Sequence, residues 1–283
     1  MIVFSDMDGT FLTTDKRVSE RSLAALDAMA AHGVEFIPCT GRALVGIPQE
    51  VLAHPCVHYA ISSNGAVVSR IDPCNRTADG AQTMRNVPLS RDKALEVLDI
   101  ARSHDVTFDI FADGHSYLRR DLYDRLAEFV PGDPGTLDSI RWNRTPVDEE
   151  PEQTLARIHT LERLAMYWHD PHDRDEILNA LSRVGGIAVT RSFPMNIEVM
   201  DGNASKGASM SWLVAELGGT LADTIAFGDN FNDIEMLQAA GLGVAVANAE
   251  DEVRAAADIV AASNDEDGVA RTIIERLSAE ASA

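Results

Sequence analysis

Ile2-Val3-Phe4-Ser5-Asp6-Met7-Asp8-Gly9-Thr10 opens the chain and frames its reading. The short apolar, β-branched run predicts a buried strand. Directly after it come two carboxylates two positions apart, a glycine and a hydroxyl. Past the end of a buried strand, Asp6 and Asp8 can point into one crevice while Gly9 lets the backbone turn closely around a ligand. The competing reading is an ordinary turn, because Asp and Gly dominate turns.

Outward from that stretch the pattern is α/β. Ser19 is placed to cap a helix with Leu23, Leu26 and Ala30 on one face, ended by Gly33. Residues 34–38 form the next apolar run; a helix-like stretch and the Tyr59-Ala60-Ile61 strand follow. Strand, helix, strand, helix, strand implies a parallel sheet with crossovers. The pattern then changes. Ser90 heads an amphipathic helix, and the runs 106–111 and 115–118 flank Asp113-Gly114, a hairpin signal. Residues 163–168 read as a strand, 173–183 as a helix, 187–191 and 196–200 as strands, and the polar, proline-containing stretch 144–153 as a loop. After Asp201 the doubly wound pattern resumes: a helix over 205–217, a strand over 224–227, a helix after Asn230, a strand over 243–246, a helix over 251–257, Ile259-Val260, and a last helix over 269–277. The expected fold is α/β, a doubly wound parallel-sheet core in two segments, 1–83 and 193–283, with an α+β cap inserted over 84–192.

Composition narrows the partners. The 283 residues are 45% hydrophobic and 24% charged, ordinary for a globular protein with a sizeable core. A net charge of −21 without any Lys/Arg cluster argues against nucleic acid and anionic membranes. On so acidic a surface, a phosphate site must carry its own local positive charge. Cys39, Cys56 and Cys74 are scattered and without CxxC spacing, which suggests a reducing compartment. With no signal-peptide pattern and no apolar run near the ~18 residues of a membrane span, a cytoplasmic location is expected.

Three further segments carry chemistry, each where a strand gives way to a loop or a helix begins. In open α/β sheets ligands bind outside the carboxyl ends of the strands. Gly228-Asp229-Asn230-Phe231-Asn232-Asp233 follows a strand; Asp229 suits a hard cation and Asn232 is placed to ligate or orient nearby, while helix capping competes as the reading for Asn230 and Asp233. Thr40-Gly41-Arg42 offers a hydroxyl and backbone N–H groups for phosphate at an expected helix N-terminus, against a plain N-cap and a surface arginine. Lys206 opens a helix, where its charge opposes the dipole, so an anion would explain it better than stability does. In this frame Asp6 is the candidate nucleophile, aligned and relieved of repulsion by a divalent metal. Asp8 is the candidate acid for the leaving oxygen and base for water. Two other spots are weaker. Residues 168–173, Trp168-His169-Asp170-Pro171-His172-Asp173, could suggest a metal site but read better as a strand-to-helix connection. His115 beside the Asp-Gly turn reads better as a solvated hairpin tip than as a substrate contact.

Together the DxDGT, TGR, Lys and GDxxND segments, in that order, resemble the four motifs of the haloacid dehalogenase superfamily. Ser63-Asn64-Gly65-Ala66 looks like the SNGA segment of its Cof-type subgroup. Ser192, Ile197-Glu198-Val199 and Ser205-Lys206-Gly207 are similar to that subgroup's approach to its lysine, and the insertion sits where its α/β (C2B) cap lies. The resemblance implies a Rossmann-like core with a mobile cap, and Mg²⁺ on Asp6, the backbone carbonyl of Asp8, and Asp229. It also implies phosphoryl oxygens held by Thr40, Gly41 and Lys206, help from Asn232, and an aspartyl-phosphate on Asp6. Arg42 would reach the substrate's leaving group. Family members that cleave carbon–halogen bonds lack a carboxylate at the position of Asp8, so the resemblance implies a phosphatase for sugar phosphates or similar small metabolites. The alternatives are a phosphohexomutase, which would need a bisphosphate activator, and a phospho-accepting regulatory or binding module, which would not turn over.

Overall fold

The computed structural model describes residues 1–130 and 134–280. The chain divides into two compact units: Met1–Arg85 together with the segment from Ser205 onward, and Asn86–Ala204 between them. In chain order the first segment holds β1 (Ile2–Ser5), α1 (Glu20–Ala31), β2 (Glu35–Pro38), α2 (Gln49–Leu52), β3 (Tyr59–Ser62), β4 (Val67–Arg70) and β5 (Gln82–Asn86). The insertion holds α3 (Arg91–Ala101), β6 (Asp109–Ala112), β7 (His115–Arg119), α4 (Arg120–Asp124), α5 (Leu126–Phe129), α6 (Pro134–Trp142) and β8 (Thr145–Val147). It continues with α7 (Pro151–Arg157), β9 (Leu161–Tyr167), α8 (Pro171–Leu181), β10 (Ile187–Thr190) and β11 (Asn196–Asp201). The last segment holds α9 (Lys206–Glu216), β12 (Thr224–Gly228), α10 (Ile234–Ala239), β13 (Leu242–Ala245), α11 (Asp251–Ala256), β14 (Ile259–Val260) and α12 (Gly268–Glu280).

In the core unit a five-stranded parallel sheet runs β14-β13-β12-β1-β2. Val3 lies between Ile225 and Phe36 in register, and Val3 and Phe4 are both fully buried. A strand covered on both faces needs no polar alternation, which is why the opening run has none. The order proceeds from β1 to β2 on one side and from β12 to β14 on the other. The reversal between β1 and β12 opens a crevice at the carboxyl ends of those strands. Ser19 caps α1, accepting from the Ser22 N–H.

The expected third parallel strand is arranged differently. β3 pairs antiparallel with β4 in a three-stranded sheet that β5 completes, and meets the main sheet through a parallel bridge between Cys39 and Ile61. The turn after β3 explains this: Ser63, Asn64 and Gly65 all have positive φ, which folds the chain straight back instead of sending it into a crossover.

The inserted unit has a six-stranded sheet in the order β10-β11-β9-β6-β7-β8. Asp113 and Gly114, both at positive φ, make the expected hairpin turn, pairing Ala112 with His115. β11 pairs with β9 and β10, and this compact unit runs to Ala204. Residues 144–153 are not a plain loop. Thr145–Val147 adds to the sheet edge along β7, where Pro146 is tolerated, and Pro151 opens α7 behind a Glu150/Gln153 capping box. Asp170 caps α8 by accepting from the His172 N–H, and His169 stacks on Phe129 at 5.1 Å; the connection reading fits that segment. Cys39, Cys56 and Cys74 are free thiols. Among the described residues no helix is long and apolar enough to cross a membrane.

Candidate active site

Asp6 stands one residue past β1, its N–H extending the ladder to the Phe227 carbonyl at 3.0 Å. Its Oδ1 lies 2.6 Å from Lys206 Nζ, and the same ammonium lies 2.6 Å from Asp233 Oδ1. Lys206 is the first residue of α9, behind the Ser205 cap, and is wholly buried. Burial pushes its ammonium down, but Asp233 and Asp6 outweigh burial and hold it well above the usual lysine range. The unfavourable place at a helix N-terminus is thus offset by two carboxylates of the protein itself.

Asp229 follows β12 across the crevice and accepts from Thr10 Oγ1 at 2.7 Å. Gly9 passes so close that a β-carbon there would lie 2.6 Å from Asp229 Oδ2. Carboxylate oxygens of Asp6, Asp229 and Asp233 lie within 4.8 Å of one another. Burial first, then Asp233 and Asp8, push the Asp6 carboxyl up to about 7 against the pull of Lys206. Asp229 is raised for the same reasons, burial and then its two acidic neighbours. Three carboxylates around one ammonium leave an excess of negative charge, and the oxygen donor set suits a hard divalent cation. Beside them, Asn232 Oδ1 is buried without a hydrogen-bond partner in the structure. The residues present therefore fit Mg²⁺.

Asp233, for which helix capping competes as a reading of the sequence, also belongs to this cluster. It does cap: its Oδ2 accepts from the Asp229 and Asn230 N–H groups at 3.0 and 3.1 Å. Its other oxygen holds Lys206. The capping reading for Asn230 is right, since its side chain accepts from the Phe231 N–H. The signal for Asp233 was its place four residues after Asp229 on the same tight turn.

Asp8 is turned to a different partner. Arg42 Nε and Nη2 approach its two oxygens at 2.6 and 2.7 Å, and Lys16 Nζ lies 3.3 Å away. Burial raises the carboxyl, but the Arg42 charge and hydrogen bonds, with Lys16, outweigh it and hold Asp8 well below the usual carboxylate range. Arg42 thus faces Asp8. The Thr40-Gly41-Arg42 segment is also not a helix N-terminus. Thr40 donates its N–H to Ile61 O at 2.9 Å, its Oγ1 accepts from the Arg42 N–H at 3.1 Å, and the next element is a single 3₁₀ turn over Leu44–Gly46.

The Ser63-Asn64-Gly65 turn braces both sides of the crevice. Asn64 donates its N–H to Thr40 O at 3.0 Å, and its Oδ1 accepts from Asn232 Nδ2 at 3.0 Å. Gly65 backs onto α9, with its carbonyl accepting from Ser209 Oγ at 2.6 Å. At φ +89°, a β-carbon on Gly65 would fall 2.0 Å from the Ser205 carbonyl oxygen, next to Lys206. Gly65→Ala should therefore cost about 2–4 kcal/mol, more than the ~1–2 kcal/mol of the left-handed backbone alone, and should depress turnover by moving Lys206. Gly33→Ala, also at positive φ but with nothing within 4 Å, should cost only the backbone part. Urea denaturation of both checks this; equal losses would show that the Ser205 contact is immaterial.

The haloacid dehalogenase-like hydrolase family model matches residues 3–273. Pyridoxal phosphate phosphatase YbhA of Escherichia coli (strain K12) is 29% identical over 286 residues, 98% of each chain. The 5-amino-6-(5-phospho-D-ribitylamino)uracil phosphatase YcsE of Bacillus subtilis (strain 168) is 27% identical over 274 residues, 96% of this chain and 94% of that one. The solved structure of a haloacid dehalogenase-like hydrolase from B. subtilis superposes with a TM-score of 0.80 at 24% identity, covering 96% of this chain and 98% of that one. A match that runs unbroken from β1 into α12, across both core segments and the insertion, makes this chain a member of the haloacid dehalogenase-like hydrolase family.

Proposed function

We propose that the protein is a Mg²⁺-dependent phosphatase of small phosphate monoesters that works through an aspartyl-phosphate on Asp6. The observation that carries this reading is the buried Asp6–Lys206–Asp233 arrangement facing Asp229 at the carboxyl ends of β1 and β12. A carboxylate at that place, with a buried ammonium beside it and further acidic oxygens opposite, suits attack on phosphorus. The two related phosphatases act, by their names, on small phosphorylated metabolites, which supports the same substrate class.

In the proposed reaction an Asp6 carboxylate oxygen bonds to phosphorus as the bond from phosphorus to the ester oxygen breaks. Asp8, which rests as a carboxylate beside Arg42 and Lys16, must first take up a proton and then gives it to that oxygen. Water then attacks the phosphorus of the aspartyl-phosphate, Asp8 takes its proton, and the bond between phosphorus and Asp6 breaks to release inorganic phosphate. Lys206 follows the phosphoryl oxygens while staying paired with Asp233, and Thr40, Gly41 and Asn232 line the rest of their cradle. Asp6, Asp229 and the Asp8 carbonyl, with Asp233 beside them, would hold Mg²⁺, which when bound neutralises the repulsion between carboxylate and phosphate.

Purified protein assayed for phosphate release on a panel of phosphorylated metabolites should turn over several of them with Mg²⁺ and none after chelation. Adding Mg²⁺ back should restore the rate and raise the melting temperature, by mass action on a site present only in the folded state. Full activity in a verified metal-free sample would defeat the metal assignment. A strict need for a bisphosphate activator would make the protein a mutase, and no turnover at all would make it a phospho-accepting module.

A further inference from the structure

Arg42 is fixed at both ends. Its N–H donates to Thr40 Oγ1 and its carbonyl accepts from the Ser63 N–H at 2.8 Å, so the backbone under the side chain is held by two loops of the core. The side chain is only 9% exposed. One edge of the guanidinium grips Asp8 through Nε and Nη2, and Nη1 donates to the Gly46 carbonyl at 2.7 Å. A two-pronged fork of this kind fixes the plane of a carboxylate, which a single contact cannot do. The third contact, on a rigid 3₁₀ turn, fixes the fork in turn. Lys16, at 3.3 Å from one Asp8 oxygen, adds charge but is a flexible point charge without that geometry.

We infer that Arg42 is a positioning residue that acts through Asp8, setting the plane and reach of the acid/base carboxyl instead of touching substrate. The inference rests on the proposed acid/base role of Asp8. It departs from the leaving-group contact that the motif resemblance implies for Arg42. A residue that binds the leaving group should show itself mainly in KM; one that orients Asp8 should show itself in turnover, and only while Asp8 is present.

The test uses the full chain with saturating Mg²⁺ and p-nitrophenyl phosphate, comparing Arg42→Ala, Arg42→Lys, Asp8→Asn and the Asp8→Asn/Arg42→Ala double variant. Arg42→Ala should lower kcat about 10–100-fold, the range for losing a group that orients another, with KM within about threefold of wild type. The nitrophenolate leaving group needs little acid, so Asp6 should still be phosphorylated. Acid-quenched Arg42→Ala should then accumulate hydroxylamine-sensitive phosphoenzyme, as Asp8→Asn should. The double variant should fall within about twofold of Asp8→Asn, because effects routed through one residue do not multiply. Arg42→Lys keeps the charge but loses the fork, so it should be intermediate, and it carries the same test if Arg42→Ala cannot be purified.

A tenfold or larger rise in KM with kcat kept, fully multiplicative losses, or slow turnover without accumulated phosphoenzyme would overturn the inference. If Asp8→Asn turns over like wild type, the acid/base reading and the inference fall together. If Asp8→Asn is impaired and Arg42→Ala is not, the inference alone falls.

Discussion

Replacing Asp6 by Asn should abolish turnover and leave the protein without a covalent phosphate, while Asp8→Asn should be slow and phosphorylated. The two carboxylates sit two residues apart but in different company. Asp6 faces Lys206, and Asp229 and Asp233 lie close by; Asp8 faces Arg42 and Lys16. Asn at position 6 keeps an oxygen to accept from Lys206 but is no nucleophile, and losses on the order of 10⁴–10⁶ are typical for removing one. Asn at position 8 keeps the proposed nucleophile and loses only the proposed proton transfer, typically worth ~10²–10⁴. With an activated ester the first step needs little acid, the second lacks its base, and the intermediate should build up. If Asp6→Asn turned over at the wild-type rate, water would have to attack the substrate directly and the covalent mechanism would be wrong.

Asp6→Asn should at the same time leave the metal-free fold intact, which separates lost chemistry from lost structure. In the wild-type protein burial and Asp233 raise the Asp6 carboxyl to about 7. The folded state therefore binds a proton that the unfolded chain has already released at the ordinary carboxylate value. Between about pH 4 and pH 7 the folded state holds more protons, so this group makes stability fall as pH rises through that window. Asn cannot ionise and should remove that part of the slope. Melting temperatures of both proteins in chelator at pH 5 and pH 8 check the sign.

Which of these relations the sequence carried follows from how local they are. β1 and its two following carboxylates were legible because an apolar run without alternation has few readings and the motif lies next to it in the chain. Asp229 was legible for the same reason after β12. Asp233 was not, because one side chain does two jobs: its cap is local, four residues from its partner, but its hold on Lys206 spans 27 positions. Arg42 and Asp8 are 34 positions apart, and nothing in a Thr-Gly-Arg tripeptide says that its arginine turns toward the preceding strand's loop. β3 was assigned to the parallel sheet because its apolar run is indistinguishable from a central strand's. The positive φ of Ser63 and Asn64, which sends the chain back on itself, belongs to residue types that adopt negative φ far more often. In the insertion, Thr145–Val147 was hidden by Pro146, a residue that argues against a strand except at an edge, and edges are decided by tertiary pairing.

Lys206→Met should damage stability and chemistry separately. The substitution nearly conserves volume at a wholly buried position, so packing changes little. What it removes is the ammonium between Asp6 and Asp233, leaving carboxylate oxygens of Asp6, Asp229 and Asp233 within 4.8 Å without a protein cation among them. Breaking a buried ion pair from one side typically costs about 3–5 kcal/mol, and a loss of that size should lower the melting temperature by roughly 10 °C in metal-free buffer. Two manipulations should return stability. Acid should do so by protonating the uncompensated carboxyls, making the deficit smaller at pH 5 than at pH 8. Mg²⁺ should do so by mass action, with about 2.7 kcal/mol regained at a hundred times its dissociation constant. Neither should restore turnover, because the charge proposed to follow the phosphoryl oxygens is still missing, a deficit of at least about 10²–10³-fold for one such donor. A variant as stable as wild type at pH 8 without metal would mean that Lys206 does not hold the acidic cluster together. Recovery of activity along with stability would mean that the divalent ion, not the lysine, stabilises the transferring group.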